Sequence, residues 1–342
     1  MNYKLSILDQ SPIFPETSAY YAFQQTINLV QKAEEWGYKR FWVSEHHHME
    51  QVAGSSPEIL ISNLLARTKS IRIGSGGVML QHYSPYKVAE NFNVLSTLAP
   101  GRIDLGVGKA PGGFPLSTKA LQFGTRNDGS DFEERLALLK DIVEDSIHPN
   151  HPLAGIEALP KPPKAPAFYL LGTSAGSAEV AGKLGIHFVY ARFINSDDKE
   201  LEKAAKVYRN YCPKGQFIVS VAVVAAPTQQ EAEELASSHK LYKVQLQSGQ
   251  SLTVQSLKQA ESFAKEATEP YEIEVQTTDI IAGTPTFVHE VLKSLDEQYD
   301  IDEYILHTPI LKEAERFRSF QLLSPLYSAK SVGVNKKETE SV

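Results

Sequence analysis

Short apolar runs rich in β-branched and aromatic residues alternate with longer amphipathic stretches along most of this chain. The number of such units constrains the fold more than any single motif does. The runs fall at residues 3–8 (YKLSIL), 40–44 (RFWVS), 71–80 (IRIGSGGVML), 103–108 (IDLGVG), 167–172 (AFYLLG), 187–192 (HFVYAR), 217–226 (FIVSVAVVAA) and 302–307 (DEYILH). Helices are expected at 24–36, stopped by Gly37; at 57–69, opened by Pro57; and at 85–98, 131–145, 176–184, 197–211, 228–239, 285–297 and 311–323. Eight strand–helix units over 342 residues predict an α/β protein of the (β/α)8 TIM-barrel class. A doubly wound sheet would more often carry fewer strands and a G-x-G-x-x-G turn after the first, and no such turn follows residue 8.

The spacing is uneven in three places: a Gly/Pro/Ser loop at 110–130, a proline-rich bridge at 146–166, and a segment at 240–282 too long for a plain loop. The barrel is therefore expected to carry insertions after strands four and seven, the second with some helix of its own and placed as a lid. Residues 1–328 read as one domain and 329–342 as a polar, frayed tail.

Composition narrows the partners. The net charge is -7 and no basic block interleaved with aromatics occurs, so a nucleic-acid footprint is missing. No apolar run approaches the ~18 residues that span a bilayer. Cys212 is the one cysteine and cannot form an internal disulfide, and the N-terminus MNYKLSILDQ has no basic, then apolar, leader pattern. A soluble cytoplasmic protein acting on small molecules is the expectation.

In a barrel of this class the working face lies at the C-terminal strand ends. Those ends read LDQSP, SEHHH, GSGG, GVGKAPGG, GTSAGS, ARF and, for the last strand, LHTP. His46 and His48 form an H-x-H pair that would share one side of an extended chain, a spacing that suits two ligands of one metal in a barrel hydrolase. Of the other strand ends only His307 could add to it, and Glu45 with its histidines could equally be a hydrogen-bonded polar strand end. The run from Gly172 to Ser177 opens a helix with hydroxyls and exposed amides, which suits a phosphate but also suits plain capping. Lys109, one strand away, is either the cation of the same clamp or a solvated lysine. Gly74, Gly76 and Gly77 leave a strand without side chains, as when a flat ligand or another backbone approaches closely.

Taken in order, E-H-H at strand two, G-S-G-G at three, GRIDLGVGKAPG through four and G-T-S at five resemble the bacterial luciferase-like family of flavin-dependent monooxygenases. The resemblance covers most of 1–225 and resumes at about 283–327. It implies a barrel that uses reduced FMN and O2 to oxygenate a small organic substrate, with FMNH2 supplied by a separate NAD(P)H:flavin reductase as a transient partner. It places the catalytic histidine, which assists oxygen chemistry and proton transfer at the flavin, on His46. A non-proline cis peptide falls on Gly76-Gly77, which with Gly108 bind the cofactor, and phosphate contacts fall on Lys109 and Ser174, with Thr173 and Leu171 beside them. Many relatives have arginine where Lys109 stands; lysine keeps the charge but loses the bidentate fork. A deazaflavin-using branch carries a different fourth-strand motif, so FMN is expected here. The resemblance also implies a homodimer through helices two and three. The rival functions are a metal-dependent barrel hydrolase and a flavin-binding protein without turnover.

Overall fold

The computed structural model describes residues 3–125, 129–237, 241–247, 251–254, 257–267, 269–276 and 279–325. The expected tail, 329–342, lies outside the described residues. The strands are β1 (Lys4–Asp9), β2 (Arg40–Val43), β3 (Arg72–Ser75), β4 (Val78–Met79), β5 (Ile103–Gly108), β6 (Ala167–Gly172), β7 (His187–Ala191), β8 (Phe217–Ala225), β9 (Leu241–Leu246), β10 (Ser251–Val254), β11 (Tyr271–Gln276), β12 (Ile280–Gly283) and β13 (Glu303–His307). The helices are α1 (Ala19–Glu35), α2 (Pro57–Leu65), α3 (Pro85–Leu98), α4 (Pro115–Leu121), α5 (Phe132–Val143), α6 (Ala175–Leu184), α7 (Asp198–Tyr211), α8 (Gln229–Ser237), α9 (Leu257–Ala267), α10 (Pro285–Tyr299) and α11 (Glu313–Leu323).

Eight parallel strands close on themselves in the order β1, β2, β3, β5, β6, β7, β8, β13 and back to β1. These are the eight runs expected from the sequence. The register sets Ile7 level with Phe41, Phe41 with Ile73 and Ile73 with Ile103, and these outward side chains pack under the helices in the main core. Several boundaries differ from expectation. The first helix begins at Ala19, because Ser18 accepts a hydrogen bond from Tyr21 N–H and so caps it earlier. The second ends at Leu65 rather than residue 69. The run 71–80 breaks at a cis Gly76-Gly77 peptide, which separates β3 from the short β4.

The inward residues form layers. At the N-terminal end Arg40, 1% exposed, is bound to Asp104 at 3.0 Å and to Glu303 at 2.7 Å, and donates to Tyr169 Oη at 2.6 Å. Burial opposes the guanidinium charge, but the two carboxylates hold the group charged and raise its pKa. Above this ionic plug, Leu8, Trp42, Tyr169, Val189, Ile218 and Ile305 form an apolar layer. Trp42 Nε1–H donates to Asp104 at 3.0 Å, which ties the two layers together. Gly74 sits inside this layer, where a Cβ would stand 2.6 Å from Asp104 Cβ and 2.9 Å from Trp42 Nε1. The glycine is explained by the Asp104 backbone and by side chains already there, and needs no ligand.

The segment expected at 240–282 contains more strand than helix. β9, β10 and β11 form an antiparallel sheet in the order β10-β9-β11, with α9 on one face and a small apolar core of Val244, Leu246, Val254, Ala260, Phe263 and Ala264. Phe114 belongs to that core and Met49 packs against it, so the excursion is seated on loops leaving β5 and β2. β12, not anticipated, returns the chain to the barrel by pairing with the outer half of β8.

Candidate functional site

A cavity of about 560 Å³ opens at the C-terminal end of the barrel, floored by Trp42 and Leu8 and roofed by Leu252, Val254 and Gln259 of the excursion. That volume is ordinary for a small-molecule site. Of the residues expected to act, His46, Gly76, Gly77, Gly108, Lys109, Leu171 and Thr173 all line it.

His46 reaches the cavity because Arg40, Trp42, Ser44 and His46 occupy alternate positions along an extended chain, the first deep in the barrel and the other three on the cavity wall. Its Nδ1 lies 3.0 Å from Ser44 Oγ, and its N–H donates to Gly54 O at 2.8 Å. Burial and the neighbouring His47 hold its pKa down to about 4, against a smaller upward pull from Glu45. At neutral pH the ring is therefore uncharged.

The alternation does not extend to His48. That residue has φ 56°, its side chain is 56% exposed, and its Nε2 stands 4.0 Å from Glu266 of α9. The expectation that His46 and His48 share a direction is thus corrected. Among the described residues no three His, Cys, Asp or Glu side chains gather so as to hold a metal ion. His47 turns outward onto Glu45, with Nε2 at 2.7 Å from Oε1.

Lys109 is exposed at the cavity edge and is the one lysine or arginine among the described lining residues. Ser174 is not among the residues lining the cavity: it caps α6 by accepting from Ser177 N–H at 3.2 Å, while Ser177, one turn on, does line it. The two hydroxyl oxygens are 3.2 Å apart. When Ser174 donates this bond, the Ser177 proton is left for an acceptor in the cavity. Ala175 N–H is taken by Glu200 at 2.7 Å, and Thr173 O by Asn195.

Ser44 and Trp42 were not singled out in the sequence, and Ser177 was named only as the end of the phosphate-suited run Gly172–Ser177. Period-two spacing from His46 would have found the first two, and S-x-x-S at a helix start the third. The roof residues carried no local signal. Phe193 lines the cavity beside Trp42, Tyr83 stands behind its wall and Phe14 is buried elsewhere.

The family model for luciferase-like monooxygenases matches residues 2–299. The chain belongs to the luciferase-like monooxygenase family. An N-acetyl-S-alkylcysteine monooxygenase of Bacillus subtilis (strain 168) is 48% identical over 324 residues, 94% of this chain and 97% of that protein. A crystal structure of apo-MsnO8 is 31% identical with a TM-score of 0.76, covering 95% of this chain and 98% of the other. The oxygenating constituent of 3,6-diketocamphane monooxygenase from Pseudomonas putida, in complex with FMN, shares the fold at 19% identity and a TM-score of 0.70, covering 96% and 98%. This luciferase-like chain is accordingly an oxidoreductase of the monooxygenase kind, and a cofactor of flavin type suits its cavity. Gly108 supplies the structural fit: a Cβ there would meet nothing within 4 Å, so its absence widens the cavity wall beside Lys109. No helix among the described residues is long and apolar enough to cross a membrane.

Proposed function

We propose that this luciferase-like chain binds reduced FMN in the cavity above Trp42, accepts it from a separate NAD(P)H:flavin reductase, and oxygenates a small N-acylated S-alkylcysteine or a close thioether. The observation that carries the reading is the convergence of His46, Gly76, Gly77, Gly108, Lys109 and Thr173 on one cavity at the barrel mouth. The 48% identical relative supports the substrate class. When bound, reduced FMN supplies the electrons and the position at which O2 is activated. The backbone of Gly76, Gly77 and Gly108 would lie along the ring, beside Leu171. Lys109, Thr173, Ser177 and, through its hydroxyl partner, Ser174 would hold the phosphate.

His46, uncharged and steadied by Ser44, would donate or accept one hydrogen bond, and would pass a proton without carrying a net charge by taking it at one ring nitrogen as Nδ1 and Ser44 Oγ exchange another. The apolar floor and the roof would exclude water while they hold the thioether. The excursion would act as a lid; slower hydrogen exchange in 257–267 on adding FMN and substrate is expected, and unchanged exchange would refute it. A homodimer through α2 and α3 fits the exposure of Ile59 (74%), Val94 (44%) and Leu98 (66%) on these neighbouring helices.

The deciding experiment titrates the apoprotein with FMN and FMNH2 by fluorescence, then follows O2 uptake with NADH, a flavin reductase and an N-acetyl-S-alkylcysteine. Saturable flavin binding and substrate-dependent uptake are expected. Binding without substrate-dependent uptake would instead mean a flavin-binding protein without turnover.

A further inference from the structure

Behind the cavity wall, Glu45 gathers donors from two strand ends. The residue is 1% exposed. Its Oε1 accepts from Tyr83 Oη–H at 2.7 Å and pairs with His47 Nε2 at 2.7 Å, and its Oε2 accepts from Met79 N–H at 3.1 Å. His47 N–H carries the link onward, donating to Gly112 O at 2.8 Å, and His47 bridges to Gly113. Next to Tyr83, His82 Nε2 meets Pro111 O at 2.8 Å while its Nδ1 meets Gln122 Nε2 at 3.0 Å.

Glu45, His47, His82 and Tyr83 stay outside the cavity, yet each is one to four residues from segments that line it: His46 after β2, Gly77 to Met79 after β3, and the Lys109 loop after β5. A buried carboxylate costs solvation unless its lone pairs are filled, and here three donors fill them. Moving the end of β2 or β3 would unmake a bond to this buried carboxylate, and moving the Lys109 loop would break the bonds from His47 N–H to Gly112 O and between His82 and Pro111 O.

We propose that Glu45, held by Tyr83, is a positioning residue for oxygenation, locking the ends of β2, β3 and β5 into one frame so that His46 faces the Gly76–Gly77 backbone at a fixed separation. The inference rests on the function proposed above. It differs from a plain stability role, which would weaken folding and cofactor binding together. Misplacement of His46 alone would let activated oxygen escape as peroxide while FMN still binds.

The test uses Tyr83→Phe and Glu45→Gln in the full chain. FMN affinity is read by fluorescence, the melting midpoint by circular dichroism, the His46 ring by NMR in the apoprotein, and coupling as oxygenated N-acetyl-S-alkylcysteine formed per O2 consumed. In Tyr83→Phe we expect FMN affinity and KM within about twofold of the parent, shifted His46 ring signals, and coupling lowered about threefold or more, with a larger loss in Glu45→Gln. If Glu45→Gln does not fold, Tyr83→Phe decides alone. Unchanged coupling, or coupling that falls only in step with FMN affinity, overturns the positioning role and leaves the proposed function standing. A parent protein that binds no FMN and consumes no O2 overturns both.

Discussion

Two glycines that line the same cavity should respond oppositely to one added methyl group. At Gly77 a Cβ would stand 2.9 Å from the carbonyl carbon and oxygen of Gly106 and 3.0 Å from Val107 N, all backbone atoms of the neighbouring strand. They cannot turn aside as a side-chain tip can, so Gly77→Ala should cost about 1–3 kcal/mol of stability, the usual range for overpacking. At Gly108 the same atom meets nothing within 4 Å, and the residue lies in a regular strand rather than in a left-handed conformation. Gly108→Ala should therefore leave folding unharmed, or stabilise it by about 0.4–1 kcal/mol through the unfolded chain. Its methyl group would project where the flavin is proposed to lie. A tenfold loss of FMN affinity corresponds to about 1.4 kcal/mol, and a loss of at least that size is expected. Urea unfolding of both apoproteins gives the first comparison, and fluorescence titration of Gly108→Ala with FMN gives the second. If Gly108→Ala binds FMN as tightly as the parent, the cofactor does not pass over that strand end. If Gly77→Ala is as stable as the parent, the reasoning from close backbone approach fails.

Lys109→Ala should weaken FMN but not riboflavin, and should flatten the salt dependence of FMN binding; equal effects on both flavins would remove Lys109 from the phosphate. Arg40→Met would leave Asp104 and Glu303 buried without their central cation, a loss of about 3–5 kcal/mol in urea unfolding, and a change under about 1 kcal/mol would contradict the ionic plug. The folded pKa of His46, about 4, lies below its ordinary 6.5, so its contribution to stability is fully present above pH 6.5 and is lost as pH falls towards 4. Burial lowers His82, His187 and His289 in the same direction, so melting midpoints should drop across that window, and less so in His46→Gln. Leu98→Glu on α3 should convert the proposed dimer to monomer in light scattering, and an unchanged mass would move the interface elsewhere.

The barrel was legible because its strands are covered on both faces and so read as continuous apolar runs; β8, buried along its whole length, is the clearest. The excursion was less so. LYKVQL and YEIEVQ alternate polar and apolar residues because one face of their sheet is wet, and in a polar stretch that pattern is easily passed over. β12 escaped because four residues, IIAG, give too short a run to stand out. At the site, the resemblance singled out His46, while the period-two rule that gave His46 and His48 one direction failed at His48, where the backbone turns to positive φ. The glycines of GSGG pointed to the close approach of a flat ligand or another backbone. At Gly74 it is Asp104 and Trp42, and at Gly77 the backbone of the next strand.

The segment made of α8 and the excursion leaves the barrel from β8 and returns to it on β12, with Ala225 paired to Gly283 and Ala222 to Ile280. Its two ends are thus pinned side by side by ladder hydrogen bonds, and the chain between them closes on itself whatever its length. That segment also carries its own apolar centre. Descendants of this protein can therefore lengthen, shorten or exchange the roof over the cavity while the eight-strand cylinder beneath keeps its register, so substrate range can diversify without re-inventing the oxygen chemistry.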